Sequence, residues 1–180
     1  MERNEPPVVL ITGIMASGKS TVAQLVAETF PKSVHLRGDV FRKMIVNDRR
    51  EVRPDAGEDQ LEQLRLRYRL AAAAADTYNA GGFAVVVQDV VVGQMLGDFI
   101  GFVKTRPLHV VVLCPRPEVV AQREANRAKK GYGIWTVAEL DDVLRRETPR
   151  VGLWLDSSDW TPERTAREIS LRLPEARIEG

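Results

Sequence analysis

The residues from Gly13 to Thr21 carry the clearest chemical signal in the chain. Residues 13–20 read GIMASGKS and match the pattern G-x-x-x-x-G-K-[ST] without a mismatch. An apolar run, Val8–Thr12, precedes the match, and apolar residues at helical spacing follow it. Between a strand and a helix, glycines permit a tight curve in which successive N–H groups face phosphate oxygens. The segment is therefore predicted to bind the phosphates of a nucleotide.

The chemistry of the loop residues predicts ATP and Mg²⁺ as the ligands. Lys19 is predicted to reach the β and γ phosphates and to act in catalysis, and Ser20 to present its hydroxyl to Mg²⁺. The alternative interpretation is a chance glycine turn with an exposed lysine. The predicted nucleotide-binding residues are Gly13, Ile14, Met15, Ala16, Ser17, Gly18, Lys19, Ser20 and Thr21.

Two carboxylates follow other predicted strands. Asp39 comes after the short strand Ser33–Leu36, and Asp89 ends the apolar run Phe83–Asp89. Asp39 is the predicted catalytic base, because a carboxylate near the γ phosphate can orient an acceptor hydroxyl and take its proton. Asp89 is predicted to hold a Mg²⁺-bound water or to contact the acceptor. The structural alternatives are a helix cap for Asp39 and a buried loop cap for Asp89.

Three arginines complete the predicted site. Arg42 lies one turn after Asp39 and either binds substrate or is solvated. Arg123 and Arg127 are four residues apart, hence on one helical face, and precede the segment Lys129–Thr136 with its two glycines. That segment is predicted to be mobile and surface-exposed and to close over the nucleotide. The alternative is an arginine-rich helix that is merely solvated.

Composition excludes several classes of protein. With 180 residues, 26 basic and 25 acidic side chains and a net charge of +1, the chain lacks the basic footprint typical of nucleic-acid binding. The single cysteine, Cys114, excludes an internal disulfide and favours a reducing cytoplasm. Neither a signal peptide nor an apolar run long enough to span a membrane is recognised. A nucleotide-binding protein in the cytoplasm, without membrane attachment, is expected.

The elements alternate as strand and helix, which predicts a parallel sheet. Two further strands are expected at His109–Cys114 and Val151–Asp156, which makes five in a three-layer α/β/α domain. The predicted helices are Thr21–Phe30, Asp39–Arg49, Glu58–Ala80, Pro117–Ala128 and Pro162–Leu173, the last with Thr161 as its cap.

These motifs together resemble the small P-loop kinases of the adenylate-kinase-like group. The similarity is greatest to the branch with gluconate kinase, chloramphenicol phosphotransferase, zeta toxins and the kinase domains of polynucleotide kinases. The resemblance implies one domain over residues 1–180, a five-stranded parallel sheet of order 2-3-1-4-5, and a short lid at about 123–136. It also implies that Asp39 acts on the hydroxyl and that Arg123 and Arg127 stabilise the transferred phosphoryl group.

The acceptor is left open among several classes. A small metabolite or antibiotic with a free hydroxyl is the predicted partner, and two carboxylates in one cleft disfavour a phosphate monoester. Arg65, Arg67 and Arg69 on the long helix favour an anionic acceptor instead. Phe41 and the valines after Asp89 either shield an apolar acceptor or belong to the core. A nucleotide or polynucleotide kinase and a nucleotide-binding regulator without transferase activity are the alternative functions. The oligomeric state is not predicted.

Overall fold

A parallel β-sheet forms the centre of the molecule, with helices on both faces. The computed structural model describes residues 5–179, so residues 1–4 and 180 of the expected domain lie outside the described part. The strands are β1 (Val8–Gly13), β2 (Ser33–Arg37), β3 (Ala84–Gln88), β4 (Leu108–Leu113) and β5 (Leu153–Leu155). Their order, β2-β3-β1-β4-β5, confirms the prediction. A short strand that was not expected, β6 (Arg177–Ile178), pairs antiparallel with β4.

Seven α-helices connect and cover these strands in the described residues. None of them has the length and apolar character that crossing a bilayer requires. A π-helical turn, Val143–Glu147, follows the sixth helix directly, and a 3-10 turn, Leu173–Ala176, precedes β6. The helices are α1 (Lys19–Glu28), α2 (Asp39–Lys43), α3 (Glu58–Ala80), α4 (Met95–Phe102), α5 (Pro117–Ala125), α6 (Val137–Asp142) and α7 (Pro162–Leu171).

Several helix predictions need correction. The helix predicted over Pro117–Ala128 ends at Ala125, so Arg127 lies beyond it and does not share a helical face with Arg123. α2 ends at Lys43 instead of continuing to Arg49, because the following residues form a loop whose backbone is held by side chains of α3. Gln63 accepts the N–H of Arg50, for example, at 2.7 Å. The helices α4 and α6 were not expected. α6 begins at a capping box between Thr136 and Glu139, which is a short local signal in the sequence.

The core lies on the two faces of the sheet. Every residue of β1 is buried, as its continuous apolar run predicts for a strand covered on both sides. On one face, Tyr68 of α3 and Phe99 of α4 pack edge to face with ring centroids 6.0 Å apart. On the other face, Val22 of α1 and Ile169 of α7 belong to a second apolar cluster. The sheet is thus rigidly held, and its carboxyl edge can position functional side chains.

Candidate active site

The loop between β1 and α1 has the shape predicted for a phosphate-binding loop, here called the P-loop (residues 13–20). Gly13 leaves β1 where a Cβ would come within 2.6 Å of the Leu113 carbonyl oxygen, so only glycine fits. Ala16 (φ 62°) and Gly18 (φ 93°) then adopt left-handed conformations that turn the chain into α1. The first N–H groups of a helix have no partner within it. In α1 they therefore face the position expected for phosphate.

Lys19 folds over the P-loop and is buried. Its ammonium donates a hydrogen bond of 2.7 Å to the Ile14 carbonyl oxygen, and the Ser17 hydroxyl oxygen lies 3.5 Å away. Burial lowers the pKa of Lys19 to about 8, with the cations of Arg127 and Arg67 adding to the decrease and the charge of Asp89 opposing it. A phosphate anion at this position would be a negatively charged partner for the buried ammonium group.

Asp39 is the first residue of α2 and lines the same cleft as the P-loop. Its interpretation as a helix cap is wrong, because Gly38 occupies the N-cap position and no side chain caps this helix. Its carboxylate pairs with the Lys43 ammonium one turn later. Burial alone would raise its pKa, but Lys43, Arg67 and Lys129 together hold the pKa of Asp39 below its ordinary value. Asp39 is therefore ionised at neutral pH and able to accept a hydrogen bond from a hydroxyl.

Asp89 forms a buried ion pair with Arg67. Its carboxylate is 2% exposed and accepts two hydrogen bonds from the guanidinium group, the one from Nε at 2.9 Å. Oδ1 also accepts the N–H of Val90 at 2.7 Å, which agrees with the loop-capping interpretation. Burial raises the pKa of Asp89, and the Arg67 cation opposes this change. The role of Asp89 toward Mg²⁺ or the acceptor stays a prediction, and Arg67 is the partner that the sequence analysis did not assign to it.

Gly38 makes this ion pair sterically feasible. A Cβ at Gly38 would lie 2.2 Å from Oδ2 of Asp89 and 2.8 Å from its carboxyl carbon. We expect Gly38→Ala to lower the free energy of unfolding by about 2–4 kcal/mol, because either the buried pair or the start of α2 must shift. Urea denaturation followed by circular dichroism measures the change.

Gly57→Ala is the matched control for Gly38→Ala. Gly57 precedes α3 with a negative φ, and no heavy atom lies within 4 Å of a Cβ built there. This variant is expected to change the free energy of unfolding by less than about 1 kcal/mol in either direction. Equal destabilisation by the two variants would contradict the steric role assigned to Gly38.

The predicted lid arginines lie beside the P-loop. Arg123 donates to the carbonyl oxygens of Ser17 at 3.4 Å and of Ser157 at 3.2 Å, and so connects the P-loop to the loop after β5. Arg127 pairs with Glu124 at 3.2 Å. Both arginines line the cleft, as does Arg42, which pairs with Glu51 in the middle of the loop before α3. The structure thus brings all three predicted arginines to one cleft, while their catalytic roles stay predictions.

The lid segment, residues 129–136, is held in place by specific contacts. Both Gly131 and Tyr132 donate their N–H groups to Glu124, at 2.6 and 3.1 Å. The Tyr132 hydroxyl donates to the Met15 carbonyl oxygen of the P-loop at 2.8 Å. The expectation of a surface-exposed segment is wrong for Tyr132 and Trp135, which are half-buried against the core. Their aromatic rings pack, while Gly133 and Ile134 between them are exposed.

Trp135 joins the lid segment to the loop before α3. Its indole Nε1 donates a 2.9 Å hydrogen bond to the carbonyl oxygen of Val52. Sequence reasoning placed Tyr132 and Trp135 within the mobile segment without giving either a contact, and it did not name Glu124 as part of the site. An aromatic residue in a glycine-rich segment is the one local signal that could have singled out Tyr132 and Trp135.

These residues surround a single large cleft at the carboxyl edge of the sheet. Its volume is about 1420 Å³, and its walls include the P-loop, α2, α3 and the lid segment. Ser20 lines this cleft and is exposed. In the described residues no three His, Cys, Asp or Glu side chains form a metal-binding group. A cleft with Ser20 as a ligand still fits Mg²⁺, because that ion is commonly held by one or two protein ligands together with nucleotide phosphates and water.

Comparison with protein families and curated proteins gives consistent matches. The family model described as an AAA domain (AAA_33) matches residues 8–149, which span the P-loop, both carboxylates and the lid segment. The UPF0200 protein of Aeropyrum pernix is 31% identical over 156 residues, which amount to 85% of this chain and 81% of that protein.

Solved structures share the fold at low sequence identity. A sugar kinase from Janibacter sp. HTCC2649 superposes with a TM-score of 0.71 at 16% identity, over 95% of both chains. The adenosine phosphosulfate (APS) kinase of Mycobacterium tuberculosis, solved with AMPPNP and APS, superposes with a TM-score of 0.66 at 19% identity. That superposition covers 94% of this chain and 98% of the other. The fold is therefore that of the small P-loop kinases, as the resemblance implied.

Proposed function

Because the chain belongs to the AAA_33 family of P-loop domains, we propose that it is an ATP-dependent kinase that phosphorylates a hydroxyl of a small molecule. The observation that carries the proposal is one cleft lined by both the P-loop and Asp39, a carboxylate with a lowered pKa. An ionised carboxylate at that place is able to orient an acceptor hydroxyl and to take its proton. The sugar kinase and APS kinase that share the fold support the reaction class.

In the proposed reaction the chain's own residues hold and orient the reactants. The P-loop N–H groups and Lys19 bind the β and γ phosphates, and Asp39 accepts a hydrogen bond from the acceptor hydroxyl. The hydroxyl oxygen bonds to the γ phosphorus while the bond to the β–γ bridging oxygen breaks, and ADP leaves. Asp39 takes the hydroxyl proton as this occurs. Mg²⁺, held by Ser20 and the phosphates, would supply charge neutralisation.

The arginines have separate proposed roles. Arg123 already contacts Ser17 of the P-loop, so a small movement would bring its guanidinium to the nucleotide phosphates. Arg127 would turn from Glu124 to the transferred phosphoryl group. Arg42 and Asp89 are proposed to border the acceptor. Asp89 would act there through its pairing with Arg67. ATP supply and the free Cys114 support a cytoplasmic location.

An acceptor screen with ATP and Mg²⁺ tests the proposal. Hydroxylated antibiotics, sugars, sugar acids and nucleoside monophosphates are incubated with γ-labelled ATP, and the labelled product is separated from ATP and phosphate. Asp39→Asn serves as the control for transfer that depends on the site. ATP binding without transfer to any acceptor class would favour a regulator. Efficient phosphorylation of a nucleoside monophosphate would favour a nucleotide kinase.

Binding of ATP is expected to take up protons near pH 8. The pKa of Lys19 is about 8 in the free protein, and bound phosphates raise it because anions favour the charged form. At pH 8 the complex should therefore take up about half a proton, and affinity should fall as the pH rises above that value. Isothermal titration in buffers of different ionisation enthalpy measures the uptake. Lys19→Arg, which stays charged, should show none, and equal uptake by both proteins would contradict the assignment.

The lid segment is expected to become more protected when both substrates bind. Its glycines allow it to bend, and the hydrogen bonds that hold it, such as those of Tyr132 to Met15 and of Trp135 to Val52, can break and form again as it opens and closes. Hydrogen exchange at residues 129–136 should slow on addition of AMPPNP and an acceptor, whereas exchange in α7, away from the cleft, should not change. Identical exchange with and without ligands would leave Arg123 and Arg127 without a part in closure.

A further inference from the structure

One end of the cleft is lined mainly by apolar side chains. This acceptor end is formed by α2, the loop before α3, α3 itself and the start of α4, and it includes Asp39. Val91, one of the valines after Asp89, is fully buried, so it belongs to the core and does not shield an acceptor. The side chains here called the apolar wall are Phe41, Ile45, Val52, Leu64, Leu66 and Met95.

The side chains of the apolar wall are accessible to a ligand, although apolar side chains are usually buried in the core. Leu66 is 46% exposed, although it lines the cleft, and the other five side chains are half-buried. Trp135 and Ile134 of the lid segment extend this surface. The hydrogen bond from the Trp135 indole to Val52 keeps the ring beside the wall. Apolar surface exposed in a concave site is typical of a place that a ligand covers.

The charged groups of the acceptor end are largely paired with one another. Arg67 gives two hydrogen bonds to Asp89, Arg42 pairs with Glu51, and Lys43 pairs with Asp39. Arg50 pairs with both Asp48 and Asp59. An anionic acceptor at Arg42, Lys43 or Arg50 would meet a carboxylate that is already bound there. Taking Arg67 from Asp89 would leave a buried carboxylate unpaired. Arg53 lines the cleft outside these pairs and is exposed.

We infer that the acceptor is an uncharged hydroxyl compound with an aromatic or branched aliphatic body, which packs on the apolar wall while its hydroxyl meets Asp39. The inference rests on the proposed kinase function and narrows its acceptor class. Each apolar atom that the wall covers favours binding, whereas a carboxylate or phosphate on the acceptor would face paired charges and apolar surface. Of the three arginines of α3, Arg67 lines the cleft but is paired with Asp89, and Arg65 and Arg69 do not line it, so these arginines do not select for an acid.

Two glucosides and one glucuronide, which share their ring hydroxyls, test this inference. Phenyl β-glucoside and methyl β-glucoside differ in the apolar body, and phenyl β-glucuronide carries a carboxylate in place of the 6-hydroxymethyl group of the phenyl compound. Binding to the full-length protein with Mg²⁺ and AMPPNP is measured by equilibrium dialysis. We expect phenyl β-glucoside to bind at least about tenfold more tightly than either of the others, since burying a ring contributes roughly that factor or more.

Substitutions at Leu66 and Trp135 test whether phenyl β-glucoside binds on the apolar wall. Leu66→Gln and Trp135→Ala should each weaken binding of phenyl β-glucoside several-fold, whereas Trp135→Phe, which keeps an aromatic ring, should retain most of it. Leu171→Gln is the matched control, because Leu171 is 70% exposed on α7 and does not line the cleft. Melting temperatures of all variants show whether the fold is kept.

The outcomes separate this inference from the proposed function. Equal or undetectable binding of the phenyl and methyl compounds would overturn the inference. Tightest binding of the glucuronide, lost in Arg53→Ala, would also overturn it and identify an anion site. The same samples are then supplied with ATP. Wall-dependent binding with no transfer to any compound of the wider screen would contradict the kinase proposal and leave the ligand class intact.

Discussion

Asp39→Asn is expected to lower the rate of phosphoryl transfer by about 100-fold or more while ATP binding remains unchanged. The amide keeps the size of the side chain but cannot take the acceptor proton, and general-base catalysis typically contributes about 10²–10⁴-fold. The lost pairing with Lys43 should matter little for stability, because both side chains are about half exposed. Steady-state kinetics with the acceptor found in the screen measures the effect on kcat.

Asp59→Asn is the matched control for Asp39→Asn. Asp59 is an exposed carboxylate of α3 that pairs with Arg50 and does not line the cleft, so its variant should keep wild-type turnover. The lowered pKa of Asp39 adds a second check, since a base ionised well below neutral pH gives a rate that does not change around pH 7. Wild-type turnover in Asp39→Asn would reduce Asp39 to a structural residue of α2.

Lys19→Ala is expected to weaken ATP binding by about 100-fold or more. The substitution removes the ammonium that would form charge-assisted hydrogen bonds to two phosphates, each of which contributes about 1.5–3 kcal/mol. In the free protein the same change removes a buried cation with a lowered pKa, so the fold should not be destabilised by the loss of charge. Isothermal titration with ATP and Mg²⁺ measures the affinity.

Lys32→Ala is the matched control for Lys19→Ala. Lys32 precedes β2 at the opposite edge of the sheet and donates to the carbonyl oxygen of Gly81, far from the P-loop in the topology. Its variant should bind ATP as the wild type does. Unchanged affinity in Lys19→Ala would mean that the nucleotide binds elsewhere, and the cleft would then need another ligand.

Local sequence was enough for the P-loop and for the parallel character of the sheet. The phosphate-binding pattern is contiguous, and each of its residues is placed by its own backbone conformation between β1 and α1. The alternation of apolar runs and helical spacing indicated a parallel sheet, and the family resemblance supplied the order that the structure shows. The prediction that Asp39 and Asp89 follow neighbouring strands is confirmed, because β2 and β3 pair with each other and each aspartate lies just after the end of its strand.

The two helices that were not predicted, α4 and α6, have weak signals in the local sequence. α4 is almost entirely apolar, so its residues show no contrast between a buried and a solvated face, and α6 has only six residues. α2 ends early because α3 holds the following loop through Gln63, which is a tertiary contact.

Sequence by itself therefore determined where the P-loop lies and which carboxylates lie at the edge of the sheet. Only the tertiary structure decided that Arg67 neutralises Asp89, that Tyr132 contacts Met15 across 117 residues, and that Trp135 reaches Val52 across 83 residues. The physical reason is that a phosphate-binding loop is defined by the dihedral angles of adjacent residues. The partner of a buried charge and the wall of a cleft depend instead on how distant helices and loops pack.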